Sequence, residues 1–131
     1  MSTITTEKDQ YLPYILADGD SQIAVVPERG GIVTSWKIQG KDVFYLDAER
    51  FKDPSLSVRG GIPLLFPICG NLPDDTYTLD DETYQLKQHG FGRTLPWEVT
   101  QQSTDDGASI KLTLTSSEET LDVYPFDFQL D

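Results

Sequence analysis

The chain contains a single cysteine, Cys69, and a single histidine, His89, among 131 residues. One thiol cannot build an intrachain disulfide framework, so the expected setting is a reducing compartment, the cytoplasm. One imidazole cannot build a histidine-based metal centre, and Cys69 lies too far from His89 in sequence to suggest a ligand pair on spacing alone. No metal and no other cofactor is therefore expected. Basic residues are scarce as well. Ten Lys and Arg stand against 22 Asp and Glu, a formal charge of −12. That balance argues against nucleic acid or an anionic membrane as the main partner. The longest apolar stretch, Ile62 to Cys69, carries Pro63 and Pro67 and is far too short to span a bilayer. The opening residues, MSTITTEKDQ, hold no apolar run after a basic segment and do not read as a secretory signal.

What is present is aromatic and turn-rich. Six Tyr, six Phe and two Trp accompany a hydrophobic share of 37%, and such rings favour pleated, half-buried surfaces. Tyr14–Ala17 and Ile23–Val26 flank Asp18-Gly19-Asp20-Ser21, a hairpin signal. Pro27-Glu28-Arg29-Gly30-Gly31 interrupts the pattern, Ile32–Ile38 resumes it, and Gly40-Lys41-Asp42 turns the chain into a further predicted strand, Val43–Leu46. From Gly60 to Pro67, glycines and prolines crowd the sequence, which predicts shaped loop rather than ladder. Tyr77–Leu79 and Thr83–Leu86 around Asp80-Asp81-Glu82 read as a second hairpin. Trp97–Thr100 and Ile110–Thr115 read as a third, joined by the polar loop Gln101–Gly107. Ile110, Leu112 and Leu114 alternate with polar residues, the mark of one buried face. Ser116–Thr120 can start one helical turn before Pro125 stops it. Phe126, Phe128 and Leu130 alternate with Asp127, Gln129 and Asp131, so the sequence stops inside an apparent strand. The pattern predicts an all-β antiparallel sandwich: residues 1–131 form a single domain, the amino-terminal portion of a larger one and incomplete at its C-terminus.

Two segments carry candidate chemistry. In Gln88-His89-Gly90-Phe91-Gly92-Arg93 the glycines permit close approach of backbone or ligand, and Arg93 places a fixed cation nearby. The other reading of His89 is a hydrogen-bonded loop histidine. In Arg59-Gly60-Gly61 through Gly70-Asn71 the apolar residues Leu64, Leu65 and Phe66 suit a buried crossover, whereas Arg59 and Asn71 suit gripping hydroxyl or phosphate oxygens. The pairs Asp74-Asp75, Asp80-Asp81 and Asp105-Asp106 lack the alternating ligands of a calcium loop and read as turn residues. Cys69 reads as a small core residue. Trp36 and Trp97 suit either core anchors or a platform for a sugar ring.

At these residues the chain resembles the aldose 1-epimerase (galactose mutarotase-like) superfamily, in particular its hexose-6-phosphate 1-epimerase branch. The resemblance is carried by Arg59-Gly60-Gly61-Ile62-Pro63 with Phe66-Pro67, and by His89-Gly90-Phe91-Gly92-Arg93 with Leu95-Pro96-Trp97-Glu98. Thr78–Leu86 and Tyr124-Pro125-Phe126 add to it. It implies a large antiparallel β-sandwich that interconverts α and β anomers of a hexose or hexose 6-phosphate without a cofactor. One histidine protonates the ring oxygen and a carboxylate takes the anomeric proton. By motif, His89 matches one of two substrate-binding histidines, the resemblance implying a binding or polarising partner rather than the sole acid. Arg59 and Arg93 match arginines that line the sugar or phosphate site. The second histidine and the glutamate base lie beyond Asp131 in the family pattern, which implies pairing with a C-terminal half. Galactose-type members carry an Asn-Arg pair where this chain has Asn71-Leu72, which favours Arg59 as the substitute. A non-catalytic carbohydrate-binding sandwich, or a truncated and inactive fragment, are the alternatives.

Overall fold

The computed structural model describes residues 1–7 and 9–131. Strands β1 (Ser2–Thr6), β2 (Tyr14–Asp18), β3 (Ser21–Val26), β4 (Ile32–Ile38) and β5 (Lys41–Asp42) form one antiparallel meander in that order. Gly19, at φ 57°, makes the tight β2–β3 turn that the sequence predicts. β1 carries no clear apolar pattern, but its β-branched threonines suit a strand and Ile4 sits opposite Leu16. Between β3 and β4 the register shifts: Ala24 opposes Ser35 and Val25 opposes Val33, so Thr34 bulges out.

The strand expected at Val43–Leu46 does not form. β5 pairs with β4 through Lys41 and Asp42, and Val43 N adds one bond to Trp36 O at 2.8 Å. The chain then leaves the edge, with a bridge from Leu46 to Gly60. The departure is set by Asp47, whose carboxylate accepts from Arg50 N at 3.0 Å and caps α1 (Ala48–Phe51). Phe51 turns inward and packs with Val26 and Ile32 beneath the sheet.

β6 (Thr76–Leu79) and β7 (Glu82–Gln85) form the second hairpin, turned by Asp80 and Asp81 at φ 49° and 65°. Positive φ at both central residues is what this two-residue turn requires. A third sheet has the order β10-β9-β8, built from β8 (Glu98–Ser103), β9 (Ser109–Thr115) and β10 (Gln129–Leu130). The ladder β8–β9 runs on to Ser103 and Ser109, so the loop expected at Gln101–Gly107 is shorter than the sequence suggests. Helix α2 (Glu118–Val123) starts where expected, closed by a reciprocal capping box between Ser117 and Thr120. Of the apparent strand Phe126–Leu130, only Gln129 and Leu130 pair, and they pair with β9.

The architecture is all-β and antiparallel, with helix confined to α1, α2 and a 3-10 turn at Pro73–Asp75. No helix among the described residues is long and apolar enough to cross a membrane. The inner face of the first sheet looks toward β9 across an apolar cleft of about 360 Å³ lined by Leu16, Ile23, Val25, Val33, Ile110 and Leu112. Gly31 closes one end of it, where a Cβ would stand 2.9 Å from Leu112 Cδ1. Leu64 and Leu65, expected beneath the sheet, are 39% and 38% exposed, and of the two only Leu64 lines this cleft. The reason is the chain path: Gly60–Ile62 bridges to Leu46 and Val33 at the sheet edge, so the residues that follow run along the rim rather than under it.

Candidate functional site

The two glycine-containing motifs, far apart in sequence, dock on each other through their backbones. Phe66 O accepts from both Phe91 N (2.8 Å) and Gly92 N (2.9 Å), and His89 N donates to Gly70 O at 2.9 Å. Such an approach leaves no room for a side chain at Gly90 and little at Gly92. A Cβ on Gly90, which has φ +66°, would lie 2.3 Å from Phe66 O, and one on Gly92 would lie 3.1 Å from Phe66 Cβ. Below the docked loops, Phe66, Phe91, Tyr124 and Phe128 form a ring cluster with centroid separations of 4.9–6.4 Å. Offset and edge contacts of this kind stabilise beyond their burial. Phe128 and Tyr124 thus pack with the rings of the docked loops rather than in a long strand, and Phe126 lies 45% exposed against Tyr124. Gly90→Ala is expected to destabilise the protein by at least about 2 kcal/mol, because it adds a backbone clash to an unfavourable φ. Chemical denaturation checks this; a shift below about 0.5 kcal/mol would mean that the loops part at little cost.

His89 itself is half-buried and has φ 64°, the left-handed region that histidine tolerates better than most residues. Its Nδ1 lies 2.8 Å from Cys69 O. A carbonyl offers only lone pairs, so Nδ1 carries the hydrogen and donates it. Nε2 is left as the chemically active nitrogen: an acceptor when the ring is neutral, a donor when it is charged. Cys69 is exposed, contrary to the core placement expected from its apolar neighbour, and its backbone rather than its thiol orients the imidazole.

Arg93 is half-buried and Asn71 is exposed, next to the Gly70 carbonyl that holds His89 N. The docked loops set Asn71 beside the carbonyl that holds His89 N, while Arg93 follows four residues later on the histidine loop and lines a cavity that includes neither His89 nor Asn71. Arg59 is placed separately, on the edge of the first sheet, where its carbonyl accepts from Asp47 N at 2.9 Å and Gly60 bridges to Leu46. Gly60 has φ +94°, and a Cβ there would sit 2.1 Å from Tyr45 O. Among the described residues, no hydrogen bond or ion pair engages the side chains of Arg59, Asn71 or Arg93; the ion pairs are Lys52–Glu49 and Lys111–Asp131. Arg93 lines a cavity of about 400 Å³ together with Lys87, Gln88 and Gly90. Trp97 is buried and donates to Gly92 O at 2.8 Å, so it supports the histidine loop, whereas Trp36 is partly exposed on β4. One residue escaped the sequence reading: Arg29, in the Pro27–Gly31 interruption, is buried and donates to the carbonyls of Phe51 and Leu56.

The sequence model described as aldose 1-epimerase matches residues 14–131. A protein of Escherichia coli (strain K12) named "Putative glucose-6-phosphate 1-epimerase" is 30% identical over 97% of this chain and 41% of its own length. A protein of the same name from Salmonella typhimurium is 31% identical over 91% of this chain and 38% of its own. The chain spans about two fifths of the length of these curated relatives. Among solved structures, the Slr1438 protein from Synechocystis sp. PCC 6803 is 51% identical with a TM-score of 0.89, over 98% of this chain and 45% of that one. A galactose mutarotase related enzyme from Lactobacillus acidophilus is 28% identical with a TM-score of 0.69, over 97% of this chain and 37% of that one. The matched stretch begins at β2, takes in both docked loops and runs to Asp131, and on that match the chain belongs to the aldose 1-epimerase family.

Proposed function

We propose that the complete protein is a cytoplasmic hexose-6-phosphate 1-epimerase, exchanging the α and β anomers of a sugar phosphate. Residues 1–131 supply one β-sandwich portion and half of the site. The carrying observation is the fixed imidazole: His89 is anchored through Nδ1 to Cys69 O, on the same docked loops that present Arg93. In the charged ring, Nε2–H donates its proton to the ring oxygen as the C1–O5 bond breaks. A carboxylate takes the proton from the anomeric hydroxyl, and the electron pair of that O–H bond forms the aldehyde carbonyl. Rotation about C1–C2 and reversal of the same steps closes the other anomer, so protons and bonds balance without a cofactor. The accepting carboxylate is assigned to chain length that this sequence does not include, since the curated relatives are more than twice as long.

Arg59, Arg93 and Asn71 are assigned to the substrate. At −12, the chain repels a sugar phosphate at long range, but salt screens that field beyond about 8 Å. Guanidinium groups not committed to carboxylates can reverse it locally, since each well-formed charge-assisted bond contributes roughly 1.5–3 kcal/mol. The test is anomer exchange on glucose 6-phosphate and on glucose, followed by NMR in the full-length protein and in Arg93→Ala. The variant is expected to lose about 10–100-fold on glucose 6-phosphate and less than about threefold on glucose. Equal rates on both sugars in the wild type, with equal losses in the variant, would leave a general aldose mutarotase.

A further inference from the structure

The turn from Pro27 to Gly31 belongs to neither motif loop, yet it touches the supports of both. Its backbone docks on the loop that carries Arg93: Gly30 N donates to Leu95 O at 2.9 Å, and Trp97 N donates to Pro27 O at 2.8 Å. The fit is close, because a Cβ on Gly30 (φ +69°) would sit 2.2 Å from Arg93 O. The side chain of Arg29 reaches the other way. Nη1 donates to Phe51 O and Nη2 donates to Leu56 O at 2.6 Å, with the guanidinium 4.9 Å from the Phe51 ring centroid.

Phe51 and Leu56 bracket the connection between α1 and Arg59, which has no strand or helix of its own. Local turns stiffen parts of it: Asp53 accepts from the Ser55 hydroxyl at 2.6 Å and from Ser55 N at 2.9 Å, and Arg50 Nε donates to Ser57 O at 2.7 Å. Among the described residues, Arg29 supplies the side-chain hydrogen bonds that tie this connection to the turn that also seats the Arg93 loop, beside the apolar packing of Val58 on Val26 and Ile32. Arg29 and Arg93 border one small cavity of about 230 Å³, with Ser57 and Val58 in its wall next to Arg59.

Stability alone does not account for a guanidinium here. Arg29 is 7% exposed, and among the described residues no carboxylate pairs with it. The nearest negative influence is the exposed Asp53 carboxylate, whose pKa is lowered by its hydrogen bonds from Ser55 and, without direct contact, by the Arg29 charge. A buried cation with no paired carboxylate is costly, and an apolar side chain of similar volume would serve a core as well. What an apolar residue cannot do is hold two carbonyls in one rigid plane, which is the particular geometry of the guanidinium fork.

We propose that Arg29 is a positioning residue that fixes the spacing of Arg59 and Arg93, and with it the affinity for the phosphate of a sugar phosphate. This rests on the assignment of those two arginines to the substrate. The test is calorimetric titration of the full-length wild type, Arg29→Lys and Arg29→Met with glucose 6-phosphate and with glucose. Lysine keeps the charge but lacks the rigid fork whose two nitrogens each hold one carbonyl, and methionine keeps the bulk but neither charge nor donor. In Arg29→Lys, affinity for glucose 6-phosphate is expected to fall about tenfold or more, while that for glucose stays within about twofold. Arg29→Met is expected to lose the same discrimination; if it fails to fold, the lysine variant still decides. Wild-type discrimination retained in the variants, or equal losses for both sugars, would overturn the inference alone. Equal affinity of the wild type for both sugars would overturn the phosphate assignment and this inference with it.

Discussion

Replacing His89 in the full-length protein is expected to cut anomer exchange by about 10²–10⁴-fold, the range that a positioned proton donor contributes, while leaving the fold in place. Among the described residues the side chain makes one hydrogen bond, to Cys69 O, so its loss costs about 1 kcal/mol. The backbone complicates the alanine variant, because residue 89 holds φ 64° and alanine tolerates that region poorly. His89→Asn separates the two effects. Asparagine adopts left-handed φ readily, and its amide retains a donor for the Cys69 carbonyl, but it has no nitrogen that titrates near neutrality. Both variants should therefore be slow, with the asparagine variant the more stable by roughly 1 kcal/mol. Exchange at the wild-type rate in folded His89→Asn, measured by NMR at chemical equilibrium, would return His89 to a structural role. The expected loss also exceeds that of any single arginine variant. An arginine that grips the phosphate strengthens both ground and transition states, whereas a proton placed on the ring oxygen acts as that bond breaks.

The legible parts of the fold were those with strictly local causes. Gly19, Asp80 and Asp81 supply the positive φ their turns require, Ser117 and Thr120 cap α2, and the apolar run of β4 appears with the bounds the sequence suggests. The illegible parts depend on partners distant in sequence. Val43–Leu46 has strand composition, but Asp47 and Gly60 draw it away from β4. Phe126 and Phe128 alternate like strand residues, but their rings are taken up by Phe66, Phe91 and Tyr124. At the site, the glycines around His89 suggested close approach, and Phe66 is what approaches. The Cys69 carbonyl that fixes the imidazole had no signal in the sequence, because a backbone acceptor carries no residue type. Arg29 was equally hidden: its partners are carbonyls of Phe51 and Leu56, and nothing in the letters of those residues asks for a guanidinium.

Residues 1–131 expressed alone are expected to show no anomer exchange above the buffer rate and to self-associate. Acid–base exchange needs an acceptor as well as a donor, and the acceptor is assigned above to length outside this sequence. The donor half is intact: the docked loops, the ring cluster and the Cys69 contact are all made within these residues. Association follows from the surfaces left open. The strands lie in separate sheets of five, three and two strands, none closed on itself, and a two-stranded hairpin has little stability of its own. β8 has a partner on one side only, and β10 covers just Thr115 and Leu114 of β9, so unpaired backbone remains available to another copy. The cleft between the sheets adds an apolar surface, with Ile62 47% and Leu64 39% exposed in its wall. A contiguous patch of that kind marks a contact surface rather than a solvated one. Light scattering and anomer exchange on the 131-residue chain separate the two halves of the expectation. A monodisperse but inactive preparation would remove the open-surface half. Activity at any oligomeric state would place a sufficient proton acceptor within these residues and overturn the assignment of the base to the remainder of the chain.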